Sequence, residues 1–235
     1  MKVPRRNAIS LSPAVVGTVH SAASLRAARK AGLKDCDWLE LRIDNFLKNI
    51  AELKHAAGNL RLPCIVTVRH PAEGGAAAGI TPGERRALYG EFLGGAGLVD
   101  IELRSIRALR GVVEEAKGAG VGVILSHHDF KGTPGREKLR ELARRAEDAG
   151  AEIFKVATLT RTGRELARLI EFLADEKGRL PLSVMGMGPL GRVSRLALAR
   201  GGSCLNYGYL GAANASGQWP AAVLKARIAE LEEPL

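Results

Sequence analysis

The chain has 235 residues, 46% of them hydrophobic and 26% charged, with a formal net charge of +10. These proportions lie near globular averages and exclude a disordered or fibrous chain, while an aromatic content of 4% argues against a stacking platform for single-stranded nucleic acid. One sizeable core fits this length, so a single domain over 1–235 is expected.

In chain order, Lys2, Arg5 and Arg6 before an apolar stretch imitate an export signal, but Pro13 and Gly17 interrupt that stretch and Ala14–Val19 reads as a first strand. Short β-branched runs then alternate with segments of helical period to the end of the chain. Strands are predicted over Ala14–Val19, Trp38–Arg42, Pro63–Arg69, Leu98–Leu103, Val121–His127, Ile153–Thr158, Leu182–Gly186 and Ser203–Tyr209. Helices are predicted near Ala22–Ala31, Phe46–Ala57, Pro82–Leu93, Ser105–Lys117, Pro134–Ala149, Gly163–Glu176, Gly191–Arg200 and Pro220–Leu231. In the fifth helix Leu139, Leu142, Ala143, Ala146 and Ala149 recur on one face, with Thr133-Pro134 read as its cap and Gly150 as its stop. Eight such repeats favour a closed (β/α)8 TIM barrel, and no dinucleotide or phosphate-loop motif follows the first strand. No stretch is long and apolar enough to span a bilayer, so no membrane association is expected.

The positive charge raises the prospect of an anionic partner. Its arginine pairs, Arg5-Arg6, Arg85-Arg86 and Arg144-Arg145, are however dispersed, and no nucleic-acid motif accompanies them. A small anionic substrate fits as well. Cys36, Cys64 and Cys204 are odd in number and lack CxxC spacing, which argues against a disulfide framework or a zinc site and for a reducing, cytoplasmic setting.

In a barrel of this kind the chemistry sits at the C-terminal ends of the strands. Glu40 and Arg42 alternate onto one face of the second strand, either aimed into the mouth or paired as a buried structural ion pair. Arg69 ends the third strand. Lys155 stands within the apolar run Ile153-Phe154-Lys155-Val156-Ala157, where burial and neighbouring cations favour an uncharged amine able to attack a carbonyl; the bland reading is a rim lysine reaching solvent. His127 and His128 face opposite ways, so one of the two serves the site, and periodicity leaves open which.

Taken in order, Glu40-Leu41-Arg42-Ile43-Asp44, Arg69 with Glu73-Gly74-Gly75, Ser126-His127-His128-Asp129-Phe130, Lys155, and Met185-Gly186-Met187-Gly188 through Ser194-Arg195 resemble the type I 3-dehydroquinate dehydratases over nearly the whole chain. The resemblance implies a (β/α)8 lyase of the shikimate route that uses no cofactor and no metal, and it suggests a homodimer. It assigns Lys155 as the Schiff-base lysine, His128 as the acid–base, with His127 structural, and Glu73 as the carboxylate that orients His128. It also assigns Glu40 and Arg42 to the substrate's ring hydroxyls, Arg69 to the same barrel mouth as a substrate-binding residue, Arg195 to bidentate capture of the substrate carboxylate, and Gln218 to a closing loop. Where the family's loop reads Ser-Ala-Pro-Gly-Gln, this chain has Asn214-Ala215-Ser216-Gly217-Gln218, so Asn214 is expected to replace a serine contact with a longer amide. Two other readings stand beside this one: a different Schiff-base barrel enzyme such as an aldolase, and a basic nucleic-acid-binding barrel.

Overall fold

Each of the eight apolar runs forms a strand in the computed structural model of the chain, which describes residues 13–176, 178–213 and 215–232. The strands are β1 (Ala14–Val19), β2 (Trp38–Arg42), β3 (Cys64–Thr67), β4 (Leu98–Glu102), β5 (Gly122–Asp129), β6 (Ile153–Leu159), β7 (Leu182–Met187) and β8 (Leu205–Tyr209). One helix follows each strand: α1 (Ala22–Ala28), α2 (Ile50–Ala57), α3 (Pro82–Leu93), α4 (Arg110–Gly118), α5 (Arg136–Asp148), α6 (Gly163–Asp175), α7 (Gly191–Gly201) and α8 (Ala221–Glu232). The strands are parallel, in the order β7-β6-β5-β4-β3-β2-β1-β8.

The two end strands of that order meet across a seam held partly by side chains. Cys204 N donates to Leu182 O at 2.8 Å, Ser183 Oγ donates to Leu205 O at 2.7 Å, and Ser203 Oγ accepts from Val184 N at 3.0 Å. The architecture is a (β/α)8 barrel. Among the described residues no helix is long and apolar enough to cross a membrane.

Alternation along the strands sorts the core into two apolar clusters. Val15, Leu39, Leu125, Phe154 and Val184 pack outward against Leu53, Tyr89, Leu139, Phe172 and Leu198 of the helices. Val16, Ile65, Leu98, Ile124, Ile153 and Leu205 fill the floor of the barrel. The next inward position along β2, β4, β5 and β6 is polar: Glu40, Asp100, Ser126 and Lys155.

Several boundaries differ from the sequence reading for local reasons. The predicted starts of α2 and α4 are replaced by 3-10 turns at Ile43–Asn45, Leu47–Asn49 and Leu103–Ser105, because the chain must turn over the strand tops before it can descend as a helix. Thr133 does not cap α5, whose N-cap is Gly135 with no side-chain bond. Its hydroxyl instead lies 2.9 Å from Thr158 Oγ1 and 3.2 Å from Leu159 O, tying the loop to β6. Gly150 does mark the stop, with φ +77° that a side chain would disfavour.

Candidate active site

Positions two apart on β2, β4 and β5 turn to the barrel axis, and with Lys155 and Arg69 they build a buried charge cluster. Lys155 Nζ lies 2.8 Å from Asp100 Oδ2 and 3.4 Å from Glu40 Oε1. Arg69, just beyond β3, donates to both Asp100 oxygens at 3.1 and 2.8 Å, to Glu102 at 3.2 Å and to Ser126 Oγ at 2.7 Å. Glu102 also binds Arg85, which reaches in from α3 at 2.6 Å. Three carboxylates, Glu40, Asp100 and Glu102, thus face three cations, Arg69, Arg85 and Lys155, and the charges cancel when Lys155 is an ammonium. Burial pushes the Asp100 carboxyl up, but Arg69 and Lys155 overcome it and hold it well below the usual range. The groups on Lys155 are therefore anions, not the neighbouring cations anticipated from sequence.

Beside this cluster stands His128. A 3-10 turn over Pro71–Glu73 carries Glu73 back toward β5, where its Oε2 accepts from the His128 backbone N–H at 2.9 Å and lies 3.0 Å from His128 Nδ1. The turn needs its glycines. Gly74 has φ +85°, and a Cβ on Gly75 would meet Arg69 O at 2.1 Å. Asp44 braces the same loop by accepting from Ala76 N at 3.0 Å and from Arg69 N at 3.2 Å. Burial pushes the Glu73 carboxyl up to about 7 against the pull of Arg69. Burial, with Arg69 and Lys155 nearby, holds His128 well below the ordinary imidazole value, so the ring is neutral at neutral pH.

The opposite wall belongs to α7 and the loop before α8. Arg195 is buried, with Nε donating to Tyr207 O at 3.0 Å and Nη1 placed 2.8 to 2.9 Å from the carbonyls of Gly186, Gly191 and Gly217. Among the described residues no acidic side chain offsets it, and burial lowers its proton affinity to about 10. Among the described residues Nη2 has no acceptor, which leaves one donor edge for an anion. Gln218 is buried in the same loop, its Oε1 accepting from Ala215 N at 3.3 Å. These walls enclose a cavity of about 140 Å³ that Lys155, His128 and Arg195 all line.

A model of the type I 3-dehydroquinase family matches residues 14–232. The chain belongs to that family. It is 33% identical over 228 residues to the 3-dehydroquinate dehydratase of Methanococcoides burtonii, covering 94% of this chain and 95% of that one. It is 34% identical over 209 residues to the enzyme of that name from Klebsiella pneumoniae, covering 83% of each. Among solved structures, the 3-dehydroquinate dehydratase of Geobacillus kaustophilus superposes with a TM-score of 0.85 at 28% identity, over 94% of this chain and 91% of that one. The type I enzyme of Clostridium difficile, solved with covalently modified comenic acid, gives 0.82 at 27% identity over 94% and 92%.

For this member of the type I 3-dehydroquinases, the structure brings Lys155, His128, Glu73, Glu40, Arg42, Arg69, Arg195 and Gln218 to one cavity; Asn214 lies outside the described residues. Glu40 and Arg42 do not pair with each other. Arg42 forks onto Asp44 at 3.0 and 2.8 Å, while Glu40 accepts from Thr67 Oγ1 at 3.2 Å. The expected bidentate grip of Arg195 is not preset, since Nε and Nη1 are already engaged by carbonyls. Sequence reading missed Asp100, Glu102, Arg85 and Tyr207. The first two carried a readable signal, two acids spaced by two in an apolar strand, the same alternation that singled out Glu40 and Arg42. Arg85 carried none, because in sequence it is one more charge on an amphipathic helix.

Proposed function

We propose that the chain is a lyase that dehydrates 3-dehydroquinate to 3-dehydroshikimate through a Schiff base on Lys155, with His128 moving the protons. The observation that carries this reading is the Lys155 amine on the cavity floor, 2.8 Å from Asp100 and 3.4 Å from Glu40, beside a neutral histidine. Lys155 gives up one proton so that its nitrogen lone pair can attack the C3 ketone carbon, and the carbonyl oxygen takes up that proton and a second from the nitrogen to leave as water. Ammonium and ketone thus give an iminium and one water, and the positive charge that Glu40, Asp100 and Arg69 are arranged around is the same before and after. His128 Nε2 then takes the C2 proton, and the electron pair of that C–H bond moves into the C2–C3 bond as the iminium becomes a neutral enamine. The enamine expels the C1 hydroxyl as that proton returns to it, releasing the second water and restoring the iminium. Hydrolysis of this conjugated iminium consumes one water and returns the Lys155 ammonium.

Arg195 supports the same reading, because a buried guanidinium with one donor edge toward the cavity suits the substrate carboxylate. Cys36, Cys64 and Cys204 are buried free thiols, in keeping with a cytoplasmic enzyme. The test is borohydride reduction during turnover, followed by peptide mass mapping. A reduced adduct on Lys155, together with the ultraviolet absorbance of the conjugated enone product, is expected. An adduct on another lysine, or none, would overturn the assignment.

A further inference from the structure

Tyr207 rises from β8 to lie against the reactive amine: Lys155 Nζ is 3.8 Å from its ring centroid, well inside the ~6 Å range of a cation–π contact. The residue is buried, and among the described residues its hydroxyl has no hydrogen-bond partner. An enclosed, unpaired hydroxyl is a cost to the fold. The ring face, and not the hydroxyl, therefore accounts for an aromatic residue in this place. Asp100 at 2.8 Å and Glu40 at 3.4 Å complete the surroundings of the nitrogen, and both contacts require N–H groups.

We propose that the face of Tyr207 is a cation-stabilising element of the active site, taking a growing share of the Lys155 charge as ammonium becomes iminium; this rests on the Schiff-base reading above. When the ammonium condenses with a carbonyl, one C=N bond forms and one water leaves, so the nitrogen keeps its charge but falls from three N–H donors to one. At most one carboxylate then retains its hydrogen bond. The attraction of the ring needs no N–H, and a planar C=N cation can lie along an aromatic face as a tetrahedral ammonium cannot. The carboxylates tolerate the loss, because Asp100 keeps both Arg69 contacts and Glu40 keeps Thr67. The ring thus stabilises the iminium in proportion as the hydrogen bonds are given up.

The experiment places phenylalanine, a series of increasingly fluorinated phenylalanines, and leucine at position 207 of the full chain. Fluorine drains negative charge from the ring face while nearly preserving its shape. Tyr207→Phe removes only the hydroxyl and is the reference of the series for kcat and for the fraction of Lys155 trapped by borohydride. Across the fluorinated series both should fall progressively, on the order of tenfold from phenylalanine to its pentafluoro form, with KM moving less. Tyr207→Leu should fall at least as far, and if leucine disturbs the fold the fluorinated series decides alone. Parent-like kcat and trapping throughout that series, in variants whose melting curves match, would overturn the proposal. Should the unsubstituted enzyme give no Lys155 adduct, the Schiff-base reading fails and this proposal with it; a trapped parent with a flat series overturns only the role of the ring.

Discussion

With Glu73 ionised and 3.0 Å away, His128 Nδ1 carries the proton it donates, which leaves Nε2 with the free lone pair that a general base requires. A general acid–base of this kind contributes roughly 10²–10⁴-fold, so His128→Ala should lose at least about 100-fold in kcat while His127→Ala stays near the parent. Steady-state kinetics on the two variants checks the assignment, and reversed losses would refute it. The pH profile tests Glu73. Because burial pushes its carboxyl up to about 7, falling pH protonates Glu73 first and removes the acceptor that orients the ring. Accordingly kcat/KM should rise as pH increases through about 7. Glu73→Gln keeps an acceptor oxygen and should abolish that limb while retaining part of the rate; a limb that persists belongs to another group.

At the scale of elements, Arg195 gathers the carbonyls of Gly186, Gly191 and Gly217 and so joins the turn into α7 and the loop before α8 into one wall. Their approach is close enough to demand glycine on both sides: a Cβ on Gly191 would meet Gly217 Cα at 2.8 Å, and Gly217 itself has φ +76°. Trp219 pins the other end, donating its indole N–H to Arg192 O at 3.1 Å. Gly191→Ala should push this wall off Arg195 and Gln218, raising KM several-fold with a smaller effect on kcat. Lys155 would still be trapped by borohydride, since its cluster stands on β2 to β6. An unchanged KM would show that the wall does not bind substrate.

For the molecule as a whole, closure of the barrel is the step that completes the site. The seam between β7 and β8 is joined low down by Ser183 and Ser203, and higher up by Arg195, which takes Gly186 O from β7 and Tyr207 O from β8. Ser203→Ala would leave the Val184 N–H without its side-chain acceptor in a buried seam, at a cost of about 1–3 kcal/mol. Urea unfolding should show a lower midpoint with an unchanged slope. An unaltered midpoint would mean that the seam is held by its remaining bonds.

The barrel itself was legible in the sequence because strand and helix periods of two and 3.6 are local properties that neighbouring residues express without reference to the rest of the chain. The same local logic placed Glu40, Arg42 and Lys155 at strand tops, while periodicity left His127 and His128 undecided and only the resemblance carried by His128-Asp129-Phe130 singled out the one that lines the cavity. Which groups would meet was another matter. Asp100 touches Lys155 across 55 residues of chain, Arg85 reaches Glu102 from a helix on the outside of the barrel, and Tyr207 comes under the lysine only when β8 closes against β1. The anions around Lys155 and the carbonyls around Arg195 are likewise products of closure. Those contacts depend on strand stagger and on helices packed against the sheet, which no local period encodes, so tertiary structure alone decided the electrostatics of the lysine.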